Sequence, residues 1–165
     1  MFNLRKRLES LPKSKLPLSW DIANPLLPWH IQIQEDVTQL KKLIKLHKWE
    51  LDLDYNKLLA HGFSIVITNL QKEIIWVCSN FLNMTGYTPK EAIGQKPSFL
   101  QGARTNKKQV ELISEQLKRY ETVSARLINY RKDNEPYLCE IKIYPLKNTE
   151  GQVTHFLAIE KDKDE

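Results

Sequence analysis

The side chains of this 165-residue chain with the most chemistry to offer are two thiols, four imidazoles and a late carboxylate. Cys78 and Cys139 stand 61 positions apart, each inside an apolar, strand-like run. That spacing builds neither a disulfide framework nor a paired-cysteine zinc site, so both are expected as core thiols and no metal site is assigned. Cys139 with Glu160 is the one nucleophile-and-base pairing on offer. No oxyanion-type glycine turn and no histidine accompanies it, so no catalytic residue is assigned and no enzyme is expected.

The elements that must position these groups start from an ordinary composition. Apolar residues make up 41% and charged residues 27% of the chain, as in one soluble globular domain with an extension. A collagen, a mucin stalk and a fully disordered chain are excluded. The longest apolar runs, SIVITNL and IIWVC, fall far short of the roughly 18 to 20 residues a bilayer span needs, and no apolar core follows the basic start. No membrane span and a cytoplasmic location are therefore expected. The net charge of +5 is concentrated in residues 1–48, which hold nine Lys/Arg against four Asp/Glu. Without zinc-finger spacing, a basic zipper or a helix-turn-helix pattern, that surplus does not make nucleic acid an expected partner.

Four of the eight prolines, Pro12, Pro17, Pro25 and Pro28, fall in residues 1–28, which read as an irregular basic arm. Its start, MFNLRKRLESL, places Phe2, Leu4, Leu8 and Leu11 around Arg5, Lys6 and Arg7. Such a segment either lies on an anionic membrane surface or packs on a neighbouring protomer. Glu9 and Asp21 argue against an organellar presequence. Residues 29–61 read as an amphipathic helix, from Trp29 to about Lys48, and a connector. Ile33, Val37, Leu40, Ile44 and Leu51 follow a heptad seam, with His47 at the skipped position, where it is expected to be structural. Leu43 and Leu46 widen the stripe, so the helix is expected both to cover a sheet in its own chain and to pair with a second copy, as a homodimer or higher oligomer.

After Gly62 the period changes to that of strands. SIVITNL and EIIWVCS form a hairpin across Gln71-Lys72. In NFLNMTGYTPKEAIG two short helical turns follow, with Ser79 or Asn80 as first cap, Gly86 as stop and Thr88-Pro89 with Glu91 as the second start. A longer helix spans Asn106 to Tyr120. Three strands follow, Thr122 to Arg131, Pro136 to Leu146 and Gln152 to Lys161, and residues 162–165 read as a charged tail.

Two strands, short helices, a longer helix and three strands, with SNFLNMTGYTPKEAIG between them, resemble the PAS sensor family over residues 62–161. The resemblance implies an α+β PAS fold: a five-stranded antiparallel sheet with helices on one face, preceded here by the amphipathic helix. GQKPSFLQG and LINYRKDNEPY are similar to the light-oxygen-voltage branch, whose typical strings are GxNCRFLQG and NYxKxGxxFWN. The departures are specific. Pro97 stands where that branch carries its photoactive cysteine, Lys96 replaces the preceding asparagine, and Ser98 and Ser114 replace two phosphate-holding arginines. Of the amides that read the flavin edge, Gln101 and Asn129 remain, while Cys139 and Glu160 occupy two other positions.

The resemblance thus implies a signalling module that dimerises and relays a ligand- or partner-dependent change to a separate effector, and no photoreceptor. Flavin is not expected on the lost groups. Haem is not expected because none of His30, His47, His61 or His155 falls on the long helix that carries the axial ligand in haem-binding relatives. The alternative is a sensor holding flavin or another cofactor non-covalently. Strand alternation groups Asn129 with Leu127 and Ala125, Cys139 with Tyr137, Ile141 and Ile143, and Glu160 with Ala158 and Phe156. With Gln101 and Pro97 these make either a pocket for an unknown small ligand or a filled core. Glu160 is expected to be held by Asn129 and Gln101, or else to reach solvent where the strand frays after Ala158.

Overall fold

The computed structural model describes residues 29–163; the basic arm over 1–28 and the last two residues of the expected tail lie outside the described residues. Helix α1 runs Trp29–His47 and α2 Tyr55–Ala60, followed by strands β1 Ser64–Asn69 and β2 Ile74–Val77. Helices α3 Ser79–Thr85 and α4 Pro89–Ala92, a 3-10 turn at Pro97–Leu100 and α5 Lys107–Lys118 come next. Strands β3 Val123–Tyr130, β4 Pro136–Lys147 and β5 Val153–Lys163 close the fold. The five strands form one antiparallel sheet in the order β2-β1-β5-β4-β3, so the last strand lies at the centre, beside the first.

Local chemistry accounts for most boundaries. The β1–β2 turn closes through Asn69, whose side chain accepts from Glu73 N–H at 2.9 Å, with Lys72 at φ 65. Helix α3 stops at Gly86, which takes φ 77 and donates its N–H to Leu82 O. Thr88 and Glu91 form a capping box at α4, with Pro89 in the first turn. The expected cap of α3 differs: neither Ser79 nor Asn80 supplies it, and Cys78 at the N-cap makes no side-chain capping bond, its thiol instead accepting from Ile65 N–H. Asn80 instead donates to Leu59 O and Phe63 O, tying α3 to the end of α2.

Alternation along the strands divides the core in two. Val66, Phe156, Ala158, Ile143, Val123 and Leu127 face the inner side and pack with Phe81, Leu100, Ile113 and Leu117 of α3 to α5 and the intervening turn. Ile65, Ile67, Leu157 and Ile159 point the other way and pack with Ile33, Val37 and Leu40 of α1. Helices α3 to α5 therefore cover one face of the sheet, and the preceding α1 lays its apolar stripe on the side they leave open. Leu40, Leu59, Ile65, Ile67 and Leu157 are 0–1% exposed, each contributing roughly 1.5–3 kcal/mol by burial. Gln39 Oε1 adds a hydrogen bond from Trp76 Nε1 at 2.8 Å.

Three boundaries correct the sequence reading. α1 ends at His47 and the chain turns at Lys48 (φ 56), so Leu51 is not on the seam with Ile33, Val37, Leu40 and Ile44. Trp49 anchors that turn: its indole donates to Thr154 Oγ1 at 2.9 Å and its ring stacks on His47 at 4.7 Å between centroids. The connector holds a helix of its own, α2, capped by Asp54, which accepts from Lys57 N–H. Asp162 and Lys163, read as tail, are strand residues, because β4 is long enough to pair with them. No helix among the described residues is long and apolar enough to cross a membrane.

Candidate functional site

The strand register assembles the inner face in rows. Val66, Ala158, Ile143 and Val123 stand side by side across β1, β5, β4 and β3. In the next row are Ser64, Glu160, Ile141 and Ala125, then Asp162, Cys139 and Leu127, and finally Tyr137 and Asn129. One end is thus apolar, while the other gathers a carboxyl, a thiol, a phenol and an amide within adjacent rows. Met84 of α3 packs over Tyr137, Cys139 and Ile141. Arg131 lies 4.5 Å from the Tyr137 ring centroid, pairs with Asp162 and donates to Met84 O, closing this end of the sheet.

The polar groups here are buried but not saturated. Asn129, Tyr137 and Glu160 are 6%, 5% and 4% exposed. Asn129 Oδ1, the Tyr137 hydroxyl and Glu160 Oε2 have no hydrogen-bond partner, a state that costs free energy unless something supplies a partner. The Asn129 side chain lies beside both Tyr137 and Cys139, near enough to favour their ionised forms but without an aligned bond. Burial lifts the Glu160 carboxyl from 4.5 to about 7, so it is partly protonated at neutrality. Burial, then the neighbouring Glu160 and Asp162, raise the Cys139 thiol well above its ordinary range, and burial with Cys139 and Glu160 does the same to Tyr137. A thiol held neutral is a poor nucleophile, so Cys139 and Glu160 do not form an activated pair.

Alternation brings Asn129, Cys139, Ile141, Ile143, Ala158 and Glu160 to one face, as the sequence reading had them. Gln101 sits at the end of the 3-10 turn and makes a backbone bridge to Asn129, while Pro97, half-buried, opens that turn. Glu160 departs from expectation. It is bonded neither to Asn129 nor to Gln101, and the strand does not fray, since β5 continues to Lys163 and holds Glu160 between Ser64 and Ile141. Ser64, Met84 and Arg131 escaped the sequence reading. Ser64 shares a row with Glu160 only by tertiary register, and Met84 and Arg131 lie within the quoted motifs but meet Tyr137 only in the folded sheet.

The inner face is not fully closed. Ala125, Ile141, Val110 and Phe99 remain only partly buried against the core. A groove of about 410 Å³, lined by Gln101, Gly102, Thr105 and Val110 among others, opens beside Asn129's bridge partner. Gly102 is required there, because a Cβ would lie 2.4 Å from the Tyr130 ring. Ser114, on α5, accepts from Lys72 Nζ at 2.8 Å, so an ammonium stands at a position where the sequence alone had suggested no cation.

Residues 62–165 match the PAS domain family. The chain is 37% identical over 89 residues to the blue-light-activated histidine kinase of Brucella anthropi, covering 54% of this chain and 18% of that protein. It is 33% identical over 116 residues to the blue-light photoreceptor of Listeria innocua, covering 68% and 46% respectively. The chain thus spans less than half the length of either relative. Among solved structures, a light-oxygen-voltage domain studied with a flavin analogue matches with a TM-score of 0.62 and 31% identity, over 69% of this chain and 87% of that one. The light-oxygen-voltage domain of the Erythrobacter litoralis EL346 blue-light activated histidine kinase matches with a TM-score of 0.59 and 28% identity, over 62% and 97%. The match spans both hairpins, the intervening helices and the central β5 that carries Glu160, and the chain belongs to the PAS domain family.

Proposed function

We propose that this chain is a cytoplasmic signalling module in which the inner face of the PAS sheet senses a small ligand and α1 hands the change to a separate effector, without light chemistry. The observation that carries this reading is the unsaturated polar end of the inner face, where Asn129, Tyr137 and Glu160 each keep a buried atom without a partner. A filled core would have no reason to retain three such groups. Flavin is not part of this reading. Its ring edge alternates carbonyls with N–H groups, and Cys139 and Glu160 offer it a weak donor and, when ionised, an acceptor-only group. No thiol lies in residues 94–102, where Pro97 opens the 3-10 turn.

Self-association belongs to the same proposal, and it draws on the side of α1 that its own sheet leaves open, where Ile31 and Leu46 are exposed. The seam residues Ile33, Val37 and Leu40 are occupied within the chain. The experiment is a visible absorption spectrum of the freshly purified protein, with mass spectrometry of whatever it releases on denaturation. A colourless protein releasing no flavin is expected. A flavin spectrum that bleaches under blue light and recovers in the dark overturns the reading.

A further inference from the structure

We infer that the ligand of the inner face is recognised through an N–H donor group, cationic or neutral, and that anionic ligands are rejected. This rests on the reading of that face as a ligand site and adds the chemical class. Asn129 Oδ1 is an acceptor without a partner, Glu160 Oε2 is one whenever its carboxyl is ionised, and the Tyr137 hydroxyl can accept as well as donate. The groups share one face: Tyr137 stands opposite Asn129, and Glu160 lies beside Ile141, one row from Cys139. A ligand bearing only acceptors leaves Asn129 Oδ1 bare. An anion adds repulsion from Glu160 and from Asp162 in the next row. An amidinium, guanidinium or ammonium donates to the ionised Glu160 carboxylate and supplies the counter-charge it lacks, while Asn129 Oδ1, two rows away on β3, is open to a second donor.

The remaining charge is accounted for. Arg131 is the cation nearest the phenol, and its guanidinium is engaged with Asp162, Glu135 and Met84 O. It therefore does not serve as Glu160's partner, and Glu160 has none on its own strand or on the two beside it: Ser64 and Ile141 are uncharged. The body of the ligand is apolar and small, because the rows next to the polar end are Ile141 with Ala125 and Ile143 with Ala158.

An isosteric series tests this directly: benzamidine, benzamide and benzoate present an amidinium, an amide and a carboxylate on the same ring, and toluene presents the ring alone. Each is titrated into the full chain while backbone amide shifts of Asn129, Cys139 and Glu160 are followed by NMR. Benzamidine is expected to bind at least tenfold more tightly than benzoate, with benzamide between them. Glu160→Gln is expected to bring benzamidine to the level of benzamide. If benzoate binds as well as benzamidine, or toluene as well as either, the ligand class is overturned while the pocket stands. If none of the four shifts the inner-face amides, the pocket reading falls too, and the unpaired atoms hold water only.

Discussion

Asp36 of α1 accepts a hydrogen bond from the Ser79 N–H at 2.9 Å, so the first turn of α3 is capped by a residue 43 positions earlier in the chain. Helix α3 has no side-chain cap of its own. Asp36 is 3% exposed, and burial lifts its carboxyl to about 6 against the opposing pull of the Ser79 bond. Docking of α1 on the outer face is thereby coupled to the helix whose Met84 covers Tyr137 and Cys139 on the inner one.

Removing that cap is expected to cost stability in proportion to an N-cap. Asp36→Ala should lower the unfolding free energy by about 0.5–2 kcal/mol. Asp36→Asn keeps an acceptor and no longer buries a charge, so it should match or exceed the parent protein at neutral pH. Urea denaturation followed by circular dichroism reads both. Equal losses in the two variants would mean that the carboxylate charge, not the acceptor, holds Ser79.

Leu40 and Leu46 sit on different faces of α1, 0% and 72% exposed. Leu40→Ala should cost about 2–5 kcal/mol by opening a cavity under the helix, whereas Leu46→Ala should stay within about 0.5 kcal/mol. Sedimentation should show the reverse order, with Leu46→Asp lowering any self-association and Leu40→Ala leaving it intact in the folded fraction. Dissociation by the Leu40 substitution alone would place the interface on the seam after all.

Glu160 makes stability depend on pH in a defined window. Its carboxyl titrates near 7 in the folded chain against an ordinary 4.5, so the folded state holds the proton more tightly. The contribution is complete below about pH 4.5 and lost as the pH rises through about 7. His155 works in the opposite sense: burial and His47 push it down to about 4, so stability is lost as the pH falls below 6.5. Comparing Glu160→Gln with the parent isolates the first effect. The variant should be more stable by up to about 3 kcal/mol at pH 8 and indistinguishable below about pH 4, as thermal melts across the range would show. A difference that does not change with pH would place the carboxylate in contact with solvent or a cation.

Pro97→Cys puts a thiol at the start of the 3-10 turn without altering the groups on the inner face. It is expected to remain colourless and insensitive to blue light even when purified with excess riboflavin or its phosphate, because the inner face still carries Cys139 and Glu160. Appearance of a reversible light-induced absorbance change in this variant would show that the pocket accepts flavin and that Pro97 alone had silenced it.

The amino-acid order by itself determined the strands, the hairpin turn at Gln71-Lys72, the Gly86 stop, the Thr88-Pro89 helix start and the grouping of Asn129, Cys139, Ile141, Ile143, Ala158 and Glu160 on one face. These follow from period, turn chemistry and alternation, all of which act over a few residues. Tertiary structure decided the rest. Whether the stripe of Ile33, Val37 and Leu40 meets a copy or its own sheet depends on which face α3 to α5 leave bare, and no local pattern carries that. The cap that α3 lacks comes from Asp36, and the partner that Glu160 lacks is absent because register sets it between Ser64 and Ile141. Such pairings join residues far apart in the chain, and only the closed sheet, with β5 inserted between β1 and β4, brings them within reach.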